Sequence, residues 1–337
     1  MNTLIIGAGA LGGLVAARME AAGAPVCLAV RDAQAAALLL RAGLRVTGVG
    51  GAAAVSISEV APLEAYPPDA RFDLILLATK AHDAILLAPR LPGLLAPGGT
   101  LLPIQNGGVP QMLGKRLGTG LVLGGLSNLG ATLSAPGVYE QRNAGHLLIG
   151  ELAGGASERT ERIRGWLARA VDVKTTLNFS GAVWSKLLLN CSVSTLGAIA
   201  GQTMSEYIGL PEARGLFHRV YAEGLRVALA SGARPEPMLV DPVPPGWNGG
   251  IVQGEAHEAW LGRILQGYGA AKPSMLQDFE RGRRTEIDFI NGYVVDLGTQ
   301  LGVPTPANAA LVATVHAITE GRLAPDPALL GAILRQG

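Results

Sequence analysis

Apolar positions in the first half of the chain fall in short unbroken runs, each followed by a stretch with helical spacing. Residues 4–6, 26–30 and 72–79 read as buried strands, apolar on both faces as parallel strands are. Residues 14–22 and 33–40 read as the helices between them. Pro97-Gly98-Gly99 makes a turn, 100–103 opens another strand, and Gln105-Asn106-Gly107-Gly108 closes it. Residues 121–123, 138–139 and 146–149 read as further strands. Alternating strands and helices predict an α/β Rossmann domain with a doubly wound, mostly parallel sheet. After about Val173 the pattern turns helical. Trp184, Leu187, Leu188 and Cys191 share one face, and Ile287, Ile290, Val294 and Leu297 follow i, i+3, i+7, i+10. The boundary is expected near 172–178, giving an N-terminal α/β domain over 1–175 and an all-α C-terminal domain over 176–337. Segment 234–250 carries five prolines between 235 and 245 and reads as a long loop, a lid or a binding loop.

The first strand runs straight into Gly7-Ala8-Gly9-Ala10-Leu11-Gly12, a G-x-G-x-x-G opening an Ala-rich helix. That is the strand–turn–helix setting of a dinucleotide fingerprint. Gly7 allows the tight turn, Gly9 lets a diphosphate approach the backbone, and Gly12 lets helix and strand pack closely. The free N–H groups of the helix start face the anion. The competing reading is a Gly-rich turn in another α/β protein. At the end of the second strand stand Arg31 and Asp32. An acidic residue there accepts from the ribose 2′-OH of NAD, whereas an arginine pairs with the 2′-phosphate of NADP. Arg31 comes first, which favours NADP; otherwise Asp32 caps the next helix and Arg31 is solvated. Lys80 and Asn106 follow strand ends on the same edge, where ligands of open α/β sheets sit, although a surface lysine and an Asn-Gly turn would look the same.

In the second half, Lys186, Asn190 and Ser194 are spaced i, i+4, i+8 beside apolar residues. Such a line suits a pocket that holds a carbonyl and a carboxylate, with lysine as proton donor. A snorkelling lysine is the bland alternative. Ser274 opens a predicted helix, where Gln277 would complete a capping box. Glu286 sits beside an apolar stripe and needs a partner: either Arg283 or the active site.

The 337 residues suit two domains of about 150 residues each. Charged residues are 16% and net charge is +1, so no basic stripe for nucleic acid exists. Uncharged stretches such as 119–139 are broken by Gly, Pro and polar residues and lack the ~20 apolar residues of a membrane span. Cys27 and Cys191 make no disulfide framework, and Cys191 reads as a small buried residue rather than a nucleophile. With the chain opening directly on a strand, a cytoplasmic location is expected. The five histidines, His82, His146, His218, His257 and His316, have no metal spacing, so no metal is expected. The Ala/Leu-rich helical half would permit a homodimer.

Taken together, G-A-G-A-L-G, Arg31, Thr79-Lys80, Gln105-Asn106-Gly107, Trp184-Ser185-Lys186-x-x-x-Asn190, and Ser274-Met275-Leu276-Gln277-Asp278 followed by Thr285-Glu286-Ile287-Asp288-Phe289-Ile290-Asn291-Gly292 resemble the ketopantoate reductase (2-dehydropantoate 2-reductase) family along essentially the whole chain. The resemblance implies an active site in a cleft between the two domains. It implies NADPH reduction of 2-dehydropantoate, a small 2-oxo acid, to (R)-pantoate in pantothenate biosynthesis. By the same resemblance Lys186 is the proton donor, and Glu286 orients cofactor and site. Asn190, Ser194 and Ser274 bind substrate, and Asn106 meets both cofactor and substrate. Gly7, Ala8, Gly9, Ala10, Leu11, Gly12, Arg31 and Lys80 bind NADP. The chain departs from the family pattern in Ser194 for an asparagine, in Val138-Tyr139-Glu140 for Val-x-His, and in a longer 235–268 segment with Trp247 and Trp260. These leave the reaction class intact and keep open a different 2-oxo or β-dicarbonyl acid as substrate. A non-catalytic NADP sensor is the alternative outside enzymes, against which Lys186, Asn190, Ser274 and Glu286 argue.

Overall fold

The computed structural model describes residues 1–251 and 253–336. It divides into two compact units, Met1–Phe179 and Ser180–Gly337. The boundary lies four residues past the expected 175/176 because the Phe179 ring packs into unit 1, occupying the space where a side chain on Gly124 would go.

Unit 1 runs β1 (Thr3–Ile6), α1 (Ala10–Ala21), β2 (Cys27–Val30), α2 (Ala33–Ala42), β3 (Leu44–Gly48), β4 (Ala53–Val55), β5 (Glu59–Pro62), β6 (Phe72–Leu77), α3 (Ala81–Leu87), β7 (Leu95–Pro103), α4 (Val109–Leu117), β8 (Leu123–Ser127), β9 (Ala131–Ala135), β10 (Val138–Gln141), β11 (Leu147–Glu151), α5 (Glu158–Leu167) and β12 (Val173–Thr175). The central sheet has the order β5-β2-β1-β6-β7, and every pair in it is parallel. Its middle strands are buried on both faces, as their unbroken apolar runs require. The strands expected near 121, 138 and 146 do not extend this sheet as regular members. They form two mixed sheets, β4-β3-β10-β9 and β12-β11-β8, the latter meeting β7 through a parallel bridge between Leu101 and Val122. The turn expected at Pro97-Gly98-Gly99 is absorbed into β7, where the pairing with β6 shifts register.

The second sheet carries a support that the fingerprint does not announce. Tyr139 of β10 is fully buried beneath α1, and its hydroxyl donates to the Ala8 carbonyl at 3.3 Å. A Cβ on Gly13 would lie 2.0 Å from that ring. Gly13 is therefore as necessary as the fingerprint glycines: any side chain there pushes helix and ring apart. Gly13→Ala should lower unfolding stability by about 1–3 kcal/mol, the usual cost of overpacking. Tyr139→Phe, which loses one hydrogen bond, should cost about 1 kcal/mol. Urea unfolding midpoints check both, and an unchanged midpoint for Gly13→Ala would contradict the packing account.

Unit 2 is helical: α6 (Phe179–Leu189, entering from unit 1), α7 (Thr195–Ala200), α8 (Met204–Tyr207), α9 (Pro211–Ala230), α10 (Glu255–Tyr268), α11 (Ser274–Glu280), α12 (Asn291–Leu301), α13 (Pro306–Thr319) and α14 (Ala328–Gln336). A π-turn, Asn190–Ser194, joins α6 to α7. By length and composition Phe179–Ala200 could cross a membrane, but 83% of that window is buried inside the protein. It is a core helix. The stripe expected to run unbroken from Ile287 to Leu297 is interrupted: Ile287–Phe289 is a 3-10 turn and α12 starts only at Asn291. The proline-rich segment 234–250 is irregular, as expected, but it is tied down along its length. The Ser185 hydroxyl bonds both main-chain groups of Glu236, at 2.6 and 2.8 Å. Tyr221 donates to the Pro242 carbonyl, Trp260 to that of Asp241, and Arg226 to that of Gly249.

Two buried imidazoles, His218 on α9 and His257 on α10, meet edge to face with ring centroids 4.7 Å apart. Their ring nitrogens have no hydrogen-bond partner among the described residues. Arg214, paired with Glu258 at 2.8 Å, lies close to both. Burial first, then His257 and Arg214, pushes His218 down to about 4. A histidine held neutral in the fold takes up more protons when unfolded, so its contribution is complete above the unfolded value near 6.5 and is lost as pH falls toward 4. Unfolding free energy should drop by roughly 1–3 kcal/mol over that window, and His218→Phe should flatten the acid limb of the stability profile.

Candidate functional site

Unit 1 gathers its candidates on one edge. From β1 the chain moves to β2 on one side and later returns to β6 on the other, so β1/β6 is a topological switch point, and ligands bind beyond the carboxyl ends of the strands there. Those ends lead into Gly7 after β1, Arg31 after β2, Lys80 after β6 and Asn106 after β7. Gly7 has φ +106° and lies against the Ala78–Thr79 backbone. A Cβ on Gly12 would meet the Gly7 carbonyl oxygen at 2.0 Å. Gly9 is exposed, with open space where a side chain would stand, and it heads α1 with no side-chain cap. The first N–H groups of that helix, from Ala10 through Gly12, have no intrahelical partner and can bind an anion.

Gln105, which in the sequence stands out only as part of a turn, has a distinct task. Its buried amide donates to the Leu77 carbonyl at 2.9 Å and the Thr79 carbonyl at 3.0 Å, tying the ends of β6 and β7 and so spacing Lys80 from Asn106. Its Oε1 and the Thr79 hydroxyl are buried without a partner among the described residues. Asp32 is occupied: its carboxylate accepts from Ala35 N–H at 2.8 Å as the cap of α2 and pairs with Arg31 at 3.2 Å. Those bonds, led by Ala35, hold its carboxyl below the usual range. The Arg31 side chain is 91% exposed. Open Gly9, the uncapped helix start and the two orphaned oxygens fit a dinucleotide.

Unit 2 assembles the other set. Between 181 and 200 every residue is buried except Lys186, Asn190 and Ser194. The three positions singled out by spacing are thus the ones that keep contact with solvent, in one line along a core helix. Lys186 is half-buried and closely surrounded by protein. Burial pulls its ammonium down to about 8, while the nearby Glu286 carboxylate opposes the fall. Of the two partners open to Glu286, the structure places it beside Lys186. Ser274 is exposed in the first turn of α11 and is not the helix cap; Pro273 is, without a side-chain bond. Pro273 fits against Gly197 of α7, which brings Ser274 alongside the helix that carries Ser194. Cys191 is buried and its thiol is pushed well above the ordinary range, consistent with a packing role.

Behind this line lies a polar network that spacing along the chain does not reveal. Asn291 and Asn308 are fully buried and Glu223 nearly so. The Asn291 amide donates to Asn308 Oδ1 at 2.9 Å, the Asn308 amide donates to Glu223 at 2.8 Å, and Glu223 also accepts the N–H groups of Ala307 and Asn308. Asn291 lies five residues past Glu286 in one motif, which is the available signal; Glu223, mid-helix among leucines and valines, is a second.

The chain matches the family model "Ketopantoate reductase PanE/ApbA" over residues 3–154 and "Ketopantoate reductase PanE/ApbA C terminal" over 178–319. It is 30% identical to the 2-dehydropantoate 2-reductase of Pyrococcus horikoshii, over 94% of this chain and 97% of that one. The solved PanE/ApbA family ketopantoate reductase of Ralstonia eutropha JMP134 superposes with a TM-score of 0.79 at 27% identity, over 96% of this chain and 99% of that one. A D-mandelate dehydrogenase solved with NADH and anilino(oxo)acetate shares the fold, with a TM-score of 0.80 at 22% identity over 95% and 99% of the two chains. The protein belongs to the ketopantoate reductase family of oxidoreductases.

Proposed function

We propose that the protein reduces 2-dehydropantoate to (R)-pantoate with NADPH, with Lys186 as the proton donor. The observation that carries this reading is the line Lys186, Asn190 and Ser194, the three positions between 181 and 200 that are not fully buried. A bound reduced nicotinamide would supply the hydride. The Lys186 ammonium gives its proton to the substrate oxygen on which negative charge develops, and its own charge stabilises that oxygen meanwhile. Glu286 keeps the amine protonated near neutral pH, while burial makes the proton easy to release. Asn190, Ser194 and Ser274 offer donors to the carboxylate and hydroxyl of the acid. Gly7 through Gly12 hold the diphosphate, Lys80 and Arg31 meet the phosphates, and Asn106 orients cofactor and acid. The prior engagement of Asp32 with α2 and Arg31 favours NADPH over NADH, because a carboxylate so occupied is a poor acceptor for a ribose hydroxyl. The protein acts in the cytoplasm.

Lys186→Ala should lower kcat at least ~100-fold, the low end for lost general-acid catalysis, with NADPH affinity unchanged. In the wild type, kcat for reduction should fall as pH rises through about 8, where the donor loses its proton. A flat profile between pH 7 and 9 would remove Lys186 from the proton transfer. Arg31→Ala should cut the NADPH/NADH ratio of kcat/KM about tenfold, the scale of one lost charged hydrogen bond.

One observation favours a second substrate reading. Ser194, on the line with Lys186 and Asn190, stands where the family pattern has an asparagine, which changes the donors offered to the acid. Oxidation of NADPH across a panel of 2-oxo and β-dicarbonyl acids ranks 2-dehydropantoate against its rivals. Tight nucleotide binding with no turnover on the whole panel would instead indicate a sensor.

A further inference from the structure

We infer that Asn291 is a positioning residue, which clamps the π-turn 190–194 and thereby aligns Asn190 and Ser194 with Lys186; the inference rests on the function proposed above. In a regular α-helix residues four apart are rotated by roughly 40°, so a line of i, i+4, i+8 drifts off its face. A π-turn bonds i to i+5 and turns less per residue, which takes the drift back. Such a turn is rare and needs outside support, because its carbonyls are not all satisfied along the helix. Asn291 gives that support. Its Nδ2 donates to the Cys191 carbonyl at 3.4 Å, within the turn. Its Oδ1 accepts from the Thr195 hydroxyl at 2.7 Å, and that hydroxyl also reaches the Asn190 carbonyl at 3.2 Å. The Thr195 N–H bonds the Asn190 carbonyl as well, closing the turn.

The clamp is itself fixed from behind. Asn308 Oδ1 accepts from Asn291, and the Asn308 amide is anchored on Glu223 and on the Val220 carbonyl. Four helical segments, α6–α7, α9, α12 and α13, thus share one buried chain of hydrogen bonds. A half-satisfied buried network is costly, so the turn has little freedom to relax into α-helical register while the clamp holds. The break between Ile287 and Asn291 follows from the same demand: it frees Asn291 to open α12 facing the turn.

Thr195→Val keeps the shape of the side chain and removes the hydroxyl; Thr195→Ser keeps the hydroxyl. The valine variant should raise KM for the 2-oxo acid ten- to a hundredfold, the scale of a small misplacement. The serine variant should stay within about twofold of wild type, and the dissociation constant for NADPH, read by fluorescence, should be unchanged in both. Asn291→Ala should repeat the valine result. Because Asn291→Ala removes a buried partner and could unfold, the Thr195 pair decides the test. A lowered melting temperature with an unchanged KM for the acid would make the network merely structural and overturn the inference, as would equal losses of acid and NADPH affinity. Amide hydrogen exchange over 190–195 reads the clamp without turnover: faster exchange in the valine than in the serine variant supports it, and equal exchange overturns it. A folded wild type that turns over no 2-oxo acid would overturn the proposed function instead, a result told apart from these by the wild-type assay.

Discussion

Withdrawing an ammonium from water is expensive, and the arrangement of the second unit follows from how that cost is met. Lys186 sits in a stretch, 181–200, that is otherwise buried except at Asn190 and Ser194. An isolated charge in such a place would discharge. Glu286 prevents that by offering a carboxylate, and the opposition of burial and pairing leaves an amine poised near 8. An exposed lysine would hold its proton too tightly to be a good donor at neutral pH. Placing the amine on a core helix, rather than a loop, loosens its hold on the proton and gives the side chain a fixed origin.

In the first unit the controlling constraint is close approach of backbones. α1 meets the Gly7 turn through Gly12 and meets β10 through Gly13, with the Tyr139 ring filling the space that a methyl on Gly13 would claim. The Tyr139 hydroxyl and the Gln105 amide then tie the glycine loop and the β6 and β7 ends to their surroundings. They fix the spacing between backbone N–H groups at the helix start and the residues at the strand ends, which is what an extended, doubly charged diphosphate requires.

Polar groups in the core of unit 2 serve shape rather than charge balance alone. Glu223 is surrounded by three N–H donors from the start of α13, so its burial leaves no bare carboxylate. Asn308 and Asn291 carry that order to the π-turn. On another side of the same helix, Ser185 anchors the proline-rich segment after α9 through both main-chain groups of Glu236. A helix braced on both sides holds Lys186, Asn190 and Ser194 in the fixed relation that the proposed proton transfer demands.

Local signals carried much of this in the sequence. Unbroken apolar runs declared the parallel strands, G-x-G-x-x-G declared the turn and helix start, and the spacing of Lys186, Asn190 and Ser194 declared a shared face, because each depends on residues close along the chain. That line was legible as positions, while its isolation in a buried helix was not. Short strands such as β4 and β9, the sorting of strands into three sheets, the role of Gln105, and the choice of Lys186 as partner for Glu286 all depend on pairs far apart in sequence. So does the clamp: Asn291 lies 96 residues from Thr195 and 100 from Cys191. Periodicity foresaw one continuous helix through Ile287 and Leu297, and the fold broke it, because satisfying a buried amide and an irregular turn together outweighs one turn of regular helix.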